Sequence, residues 1–256
     1  MTINDRRSDL VSYLQENGKT AVNELAVIFE TSGATIRTDL RKLEQEGLIA
    51  RRYGSAEACF PPIAIVEDIA MDEKKTLNLD KKTRIAKRAA ELVADGDSII
   101  LDCGSTTLQM VPELEKVTSL TLMTNSIDIL NAMNELDSEH TVIMPGGTYR
   151  KKSASFHGSL AESAFSQFSF DKLFIGADGF DLVQGCTTYI EAYQVSQAMC
   201  QSAKQIIAIL DSSKFGRKSP NVVVPIDLVN IIITDRDIAE NDLKDLESKG
   251  ITVYQV

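Results

Sequence analysis

Seven short apolar runs govern what this chain can fold into: "SIILD" from Ser98, "LTLMT" from Leu120, "TVIMP" from Thr141, "KLFIGAD" from Lys172, "QIIAILD" from Gln205, "VNIIITD" from Val229 and "ITVYQV" from Ile251. Amphipathic stretches of helical character separate most of them. Short runs rich in β-branched residues are strands buried on both faces. Alternated with helices, they predict a mainly parallel α/β sheet.

In such sheets ligands sit beyond the carboxyl ends of the strands. Those ends are polar and glycine-bearing in this chain. "LDCGSTT" closes the first run: Gly104 lets the backbone turn, and Ser105, Thr106 and Thr107 open a helix, a combination suited to holding phosphate. "PGGTYRKKS" brings Gly146 and Gly147, then Arg150, Lys151 and Lys152; "LDSSKFGRKS" brings Lys214 and Arg217 beside Ser212 and Ser213. Cations beside hydroxyls suit a phosphorylated polyol or sugar. One such loop is an ordinary turn, but three at comparable positions predict a pocket. Lys218, nearby, is expected to be solvated.

The formal net charge is −10, yet residues 1–54 hold eight basic and eight acidic residues, so the whole excess falls in residues 55–256. That asymmetry suggests two parts with different partners. In the first part, Leu10, Val11 and Leu14 form one apolar stripe that Asn17-Gly18 ends. "TAVNELAVIFE" follows, with Thr20 as the expected N-cap and Val22, Leu25, Ala26 and Phe29 at helical spacing. After "ETSG", a third helix puts Ile36, Leu40 and Leu43 on one side and Ala34, Thr35, Arg37, Thr38 and Arg41 on the other. Small residues let a helix sink into a groove, hydroxyls meet bases or phosphates, and Arg can be bidentate to guanine. "EGLIARRYGSA" then reads as a β hairpin, a wing carrying Arg51 and Arg52. A plain three-helix cap with solvated charges is the competing reading, and the order, lengths and wing favour a helix-turn-helix. Thr31, Ser32, Ala34, Thr35, Arg37, Thr38, Arg41, Arg51 and Arg52 are its expected DNA-facing residues. From Gly33 to Gly54 there are five basic and three acidic residues, so acidity elsewhere is no objection.

Residues 55–80 break the periodicity, with Pro61-Pro62 and an acidic run marking a joint. The expected division is a DNA-binding domain at 1–56, a linker at 57–79 and a sensor domain at 80–256. No G-x-S-x-G, Walker A or G-x-G-x-x-G pattern is present, and His140 and His157 are isolated. Asp102, Asp178 and Glu191 suit either acid–base work or hydrogen bonding to a ligand's hydroxyls. No cofactor and no metal site are expected. Cys59, Cys103, Cys186 and Cys200 are scattered and read as reduced and buried. No apolar run of membrane length and no apolar signal-peptide core occur, so a cytoplasmic location is expected.

"VNELAVIFETSGATIRTDLRKLEQEGLIARRYG", followed in order by "IILDCGSTT", "LTLMTNS", "MPGGTYR", "GADG", "GCTT" and "DSSKFG", resembles the DeoR family of bacterial sugar-metabolism repressors over nearly the whole chain. "QMVPEL", "MPGGTYRKKSASFHGSLAESAF", "FDKLF" and "DSSKFGRKSPNVV" look most like the branch serving glucitol (sorbitol) operons. The resemblance implies a winged helix-turn-helix followed by a mainly parallel α/β sensor domain like ribose-5-phosphate isomerase and CoA-transferase folds. It implies a homo-oligomer, a dimer or tetramer, on double-stranded operator DNA, released by a phosphorylated sugar or polyol. By motif, Gly104–Thr107 and Lys214 would hold phosphate. Asp102, Asn125, Gly146, Gly147, Arg150, Lys152, Asp178 and Glu191 would line the rest. The related isomerases carry "DGAD" and a lysine-and-glycine loop, whereas this chain has "IGAD" at 175–178 and "VQGCTT" at 183–188. A phosphosugar isomerase with an appended DNA-binding domain stays as the alternative, with Ile175 and the missing lysine against it.

Overall fold

Leu10, Leu14, Val22, Leu25, Ile36, Leu40 and Leu43, spaced for helices, close into one small core with Ile49 and Ala56. The computed structural model describes residues 6–7, 9–10, 13–14, 19–45, 49–52, 55–58, 69–188, 193–219 and 221–256. The chain divides into two units, Met1–Ala64 and Ile65–Val256. In the first, β1 (Thr20–Ala21) leads into α1 (Val22–Ile28), α2 (Gly33–Gln45), β2 (Ile49–Arg52) and β3 (Ser55–Ala58). The wing is the antiparallel pair β2–β3, and β1 adds a third strand against β3. Thr20 is therefore not the expected N-cap. It pairs with Ala56 in β1, and Ala21 takes the cap position without a side-chain acceptor. The buried carboxylate of Asp39 on α2 accepts from Arg6 Nε and Arg7 Nε, both at 2.8 Å. These two arginines hold the first helical residues to α2. Val11 of the expected first stripe lies outside the described residues.

In the second unit all seven expected runs are strands of one parallel sheet: β4 (Ser98–Leu101), β5 (Thr121–Thr124), β6 (Thr141–Ile143), β9 (Phe170–Ile175), β12 (Ala203–Ile209), β14 (Ile231–Thr234) and β15 (Thr252–Gln255), in the order β15-β14-β12-β9-β4-β5-β6. Alternation along each strand builds two cores. Ile99, Leu101, Phe174, Ile207, Ile209 and Ile233 face one side, under Ile85, Ala86 and Ala89 of α4 (Leu79–Ala90), Leu108 of α5 (Ser105–Leu108), Val111 and Leu114 of α6 (Val111–Leu114) and Ile129 of α7 (Ile127–Asn134). Ile100, Leu173, Ile175, Ile206, Ala208 and Ile232 face the other, against α8 (Ser159–Phe165), α9 (Tyr193–Ser202) and α10 (Glu240–Ser248).

Two additions were not legible as such. The hairpin β7 (Thr148–Arg150) and β8 (Ser155–His157) lies in the "PGGTYRKKS" region. A small antiparallel sheet joins β10 (Gly179–Asp181), β11 (Gly185–Thr188) and β13 (Asn221–Pro225). Within the stretch read as linker, Met71–Thr76 is helical (α3) and Met71 is buried in the second unit.

Candidate ligand pocket and nucleic-acid interface

The strand ends β4, β5, β9 and β12 converge on one cavity of about 100 Å³. Of the expected ligand-contacting residues, Asp102, Gly104, Ser105, Thr106, Asn125, Arg150, Lys152, Asp178 and Lys214 line it. Thr107, Gly146 and Gly147 are not among its lining residues, and Glu191 lies outside the described residues. Thr107 instead donates to Asp102 Oδ1 at 2.9 Å. Gly147 serves the turn before β7. Its φ is +113°, and a Cβ there would stand 2.6 Å from the His157 carbonyl oxygen.

Asp102 braces the loop that follows β4. Its Oδ1 also accepts from the Gly104 N–H at 2.9 Å, and its Oδ2 accepts from the Gly176 N–H at 3.0 Å. Gly104 is required by this closeness, since a Cβ would lie 2.8 Å from Asp102 Oδ1. Burial raises the Asp102 carboxyl to about 6, although Thr107 and the two N–H groups favour its ionised form. Asp178, from the "GAD" run, accepts Lys74 Nζ on Oδ1 at 2.5 Å and the Thr188 hydroxyl on Oδ2 at 2.7 Å. Burial alone would raise its carboxyl. The Lys74 charge and these bonds outweigh burial and hold it below the ordinary carboxylate range.

Sequence reasoning missed Lys74 on α3 and Lys82 on α4, and both line the cavity. Lys82 is only 3% exposed and donates to the Lys74 carbonyl at 2.5 Å. Burial, reinforced by the positive charges of Lys214 and Lys74 against the pull of Asp211, lowers Lys82 to about 8. Lys214 is lowered too, chiefly by burial, with Lys74 and Arg217 adding to it against Asp211 and Asp178. The signal for Lys82 lay in its spacing. Lys82, Ile85, Ala86 and Ala89 recur at i, i+3, i+4 and i+7, the buried stripe of α4.

Several expectations need correction. Lys218 is not simply solvated: its Nζ lies 2.9 Å from Asp181 Oδ2, and that carboxylate also holds the turn N–H groups of Val183 and Gln184. Cys186 and Cys200 are buried free thiols, but Cys103 is half-buried on the cavity wall, where burial pushes it to about 11. Cys59 lies outside the described residues. His157 is set into the wall, its Nε2 2.8 Å from Ser155 Oγ. Ile175 is buried in the core.

In the first unit, α2 buries Ile36, Leu40 and Leu43 and leaves Ala34, Arg37, Thr38 and Arg41 exposed. Ser32, also exposed, caps the helix: its Oγ accepts the Thr35 N–H at 3.1 Å. Thr31 and Thr35 are half-buried. The Thr38 hydroxyl donates to the Ala34 carbonyl at 3.1 Å. Arg51 and Arg52 close β2. No helix among the described residues is long and apolar enough to cross a membrane.

A winged helix-turn-helix carried on one chain with an α/β unit that gathers cations around a cavity is the architecture of a ligand-responsive DNA-binding regulator. Residues 6–61 match the DeoR-like helix-turn-helix domain and residues 77–236 match the DeoR C terminal sensor domain. The chain is 35% identical over 253 residues to the protein assigned as the aga operon transcriptional repressor of Escherichia coli O157:H7, covering 98% of this chain and 93% of that one. It is 32% identical over 250 residues to the HTH-type transcriptional regulator GlpR of Haloferax volcanii, covering 97% and 96%. Among solved structures, ribose 5-phosphate isomerase A from Methanocaldococcus jannaschii aligns with a TM-score of 0.38 at 20% identity, covering 54% of this chain and 55% of that one. The chain belongs to the DeoR family of DNA-binding transcriptional regulators and is not an enzyme.

Proposed function

We propose that this regulator represses a sugar or polyol catabolic operon in the cytoplasm and leaves its operator when a phosphorylated sugar or polyol occupies the cavity. The carrying observation is the convergence of five basic side chains, Lys74, Lys82, Arg150, Lys152 and Lys214, on a cavity lined by three carboxylates, Asp102, Asp178 and Asp211, an excess of positive charge that an anion would balance. In this reading Lys82, Lys214, Gly104, Ser105 and Thr106 receive the phosphate, and Thr107 holds their loop through Asp102. Asp178 and Asn125 receive hydroxyls, and Arg150 and Lys152 stand at the rim. Glucitol utilisation is the operon we favour, on the motifs "QMVPEL", "FDKLF" and "DSSKFGRKSPNVV". The helix-turn-helix at 1–56 grips the operator through α2 and the wing, residues 57–79 link it to the sensor, and the active species is a homo-oligomer.

A thermal-shift series with glucitol 6-phosphate, fructose 6-phosphate and the two unphosphorylated compounds tests this. At a hundredfold excess over Kd a ligand adds about 2.7 kcal/mol of stability, so the phosphorylated compounds should stand out. Lys214→Ala should require roughly ten- to a hundredfold more of them, as expected when one charge-assisted hydrogen bond is removed. Lys151→Ala, an exposed cation near the same rim, should match the parent. Equal stabilisation by free and phosphorylated compounds, or indifference to Lys214, would overturn the phosphate reading.

A further inference from the structure

One wall of the cavity is made by the chain that comes directly from the joint between the two units: Ile69, Met71 and Lys74. This segment carries α3, whose six residues are too few to hold a helix in place without tertiary pins. Its pins are few and specific. Met71 is buried. Lys75 pairs with Asp128 of α7 at 2.9 Å, and neither residue lines the cavity. The other two pins lie inside the cavity: Lys74 Nζ on Asp178 Oδ1, and Lys82 Nζ on the Lys74 carbonyl, each at 2.5 Å. Asn78, between α3 and α4, has a left-handed backbone with φ of 51°, so the segment turns sharply just where α4 begins.

Asp178 and Lys82 are thus the groups that an occupant of the proposed kind would engage, and both hold the linker segment through Lys74. An occupant's hydroxyls compete with the Lys74 ammonium for Asp178. Its negative charge competes with Asp178 for Lys74 and with the Lys74 carbonyl for Lys82. We propose that Lys74 is the coupling residue of this sensor: an anionic polyhydroxyl occupant draws it off Asp178, and the segment Ile69–Thr76 moves with it, carrying the occupancy signal toward the DNA-binding unit. The proposal rests on the reading of the cavity as a sugar- or polyol-phosphate site.

Hydrogen–deuterium exchange of the full chain separates the two. The probes are glucitol 6-phosphate, fructose 6-phosphate and, as an anion-only arm, inorganic phosphate. In the parent, a sugar phosphate should slow exchange at 104–108 and speed it at least several-fold at 70–77; inorganic phosphate should slow 104–108 with a smaller change at 70–77. In Lys74→Met, amides 70–77 should exchange fast from the outset, and the probe, at a concentration raised to offset the lost cation, should still slow 104–108 without altering 70–77 further. Lys75→Met, which breaks the pin outside the cavity, should also loosen 70–77 but keep a further probe-induced increase. If Lys74→Met does not fold, the pair Lys74→Met with Asp178→Asn removes both charges; because Asp178 is itself a proposed hydroxyl contact, its affinity should fall, and the variant is read at a probe concentration raised until 104–108 is protected. Protection at 104–108 with 70–77 unchanged in the parent, or a parental response in the Lys74 variant, overturns the coupling role alone. No protection at 104–108 by any probe overturns the site and the coupling with it.

Discussion

Lys82 has little room for its charge. It lies on the buried stripe of α4, and burial together with the neighbouring lysines brings its pKa down from 10.5 to about 8. Between those two values the unfolded chain keeps a proton that the folded chain has released, so the contribution of Lys82 to stability grows as pH rises through that window. A bound anion has the opposite preference, because it stabilises the charged ammonium. Anion binding near pH 8.5 should therefore take up protons, and affinity should fall as pH rises through about 8. Calorimetry in buffers of different ionisation enthalpy measures the uptake, and Lys82→Met should abolish most of it; unchanged uptake in that variant would remove Lys82 from the anion site. At this scale the sequence was partly readable. Lys214 stood out because it follows two serines at a strand end. Lys74 and Lys82 did not, because "MDEKKTLNLDKKTR" is dense in charge and every lysine in it reads as solvated until helical spacing separates the face that is buried.

At the scale of elements, the parallel sheet was legible because each strand carries a short apolar run, most fully buried in the central strands β4, β5, β9, β12 and β14, while the edge strands β6 and β15 stay partly exposed. The elements that escaped are short and polar. β10 is "GFD" and β11 is "GCTT", and neither has the alternation that marks a half-buried strand. β1 is two residues long, held by pairing to β3 rather than by propensity, which is why Thr20 looked like a cap. Helix α2 was legible in full, since a stripe of Ile36, Leu40 and Leu43 leaves Arg37 and Arg41 nowhere to go but outward. Its role differs from that of the wing. Arg37→Ala should weaken binding to duplex DNA selected by the full chain by about 1–3 kcal/mol, concentrated at one base position. Removing Arg51 and Arg52 together should weaken all sequences alike and flatten the salt dependence by about one unit for each phosphate no longer neutralised. Titrations at several salt concentrations decide this, and an unaltered slope in the double variant would exclude the wing from the phosphate backbone.

For the whole molecule, the charge balance already implied a division of labour: a neutral DNA-binding part with a locally basic helix and wing, and a sensor part carrying the entire negative excess. The coupling proposed here was not legible, because its ion pair joins Lys74 and Asp178, two residues of the second unit that stand 104 positions apart in the chain. An effector alters operator affinity only by as much as it prefers one state of the protein over the other. A coupling of roughly 1–3 kcal/mol corresponds to about a 5- to 150-fold change in operator Kd, and linkage requires operator DNA to weaken effector binding by the same factor. Measuring both ratios in the full chain, effector on DNA and DNA on effector, should give one number. In Lys74→Met both ratios should collapse toward unity, while effector still binds and DNA affinity takes a single value that effector no longer changes. A Lys74→Met protein that keeps the parental ratio would mean that occupancy reaches the operator by another route, and that the ion pair holds α3 in place without carrying the signal.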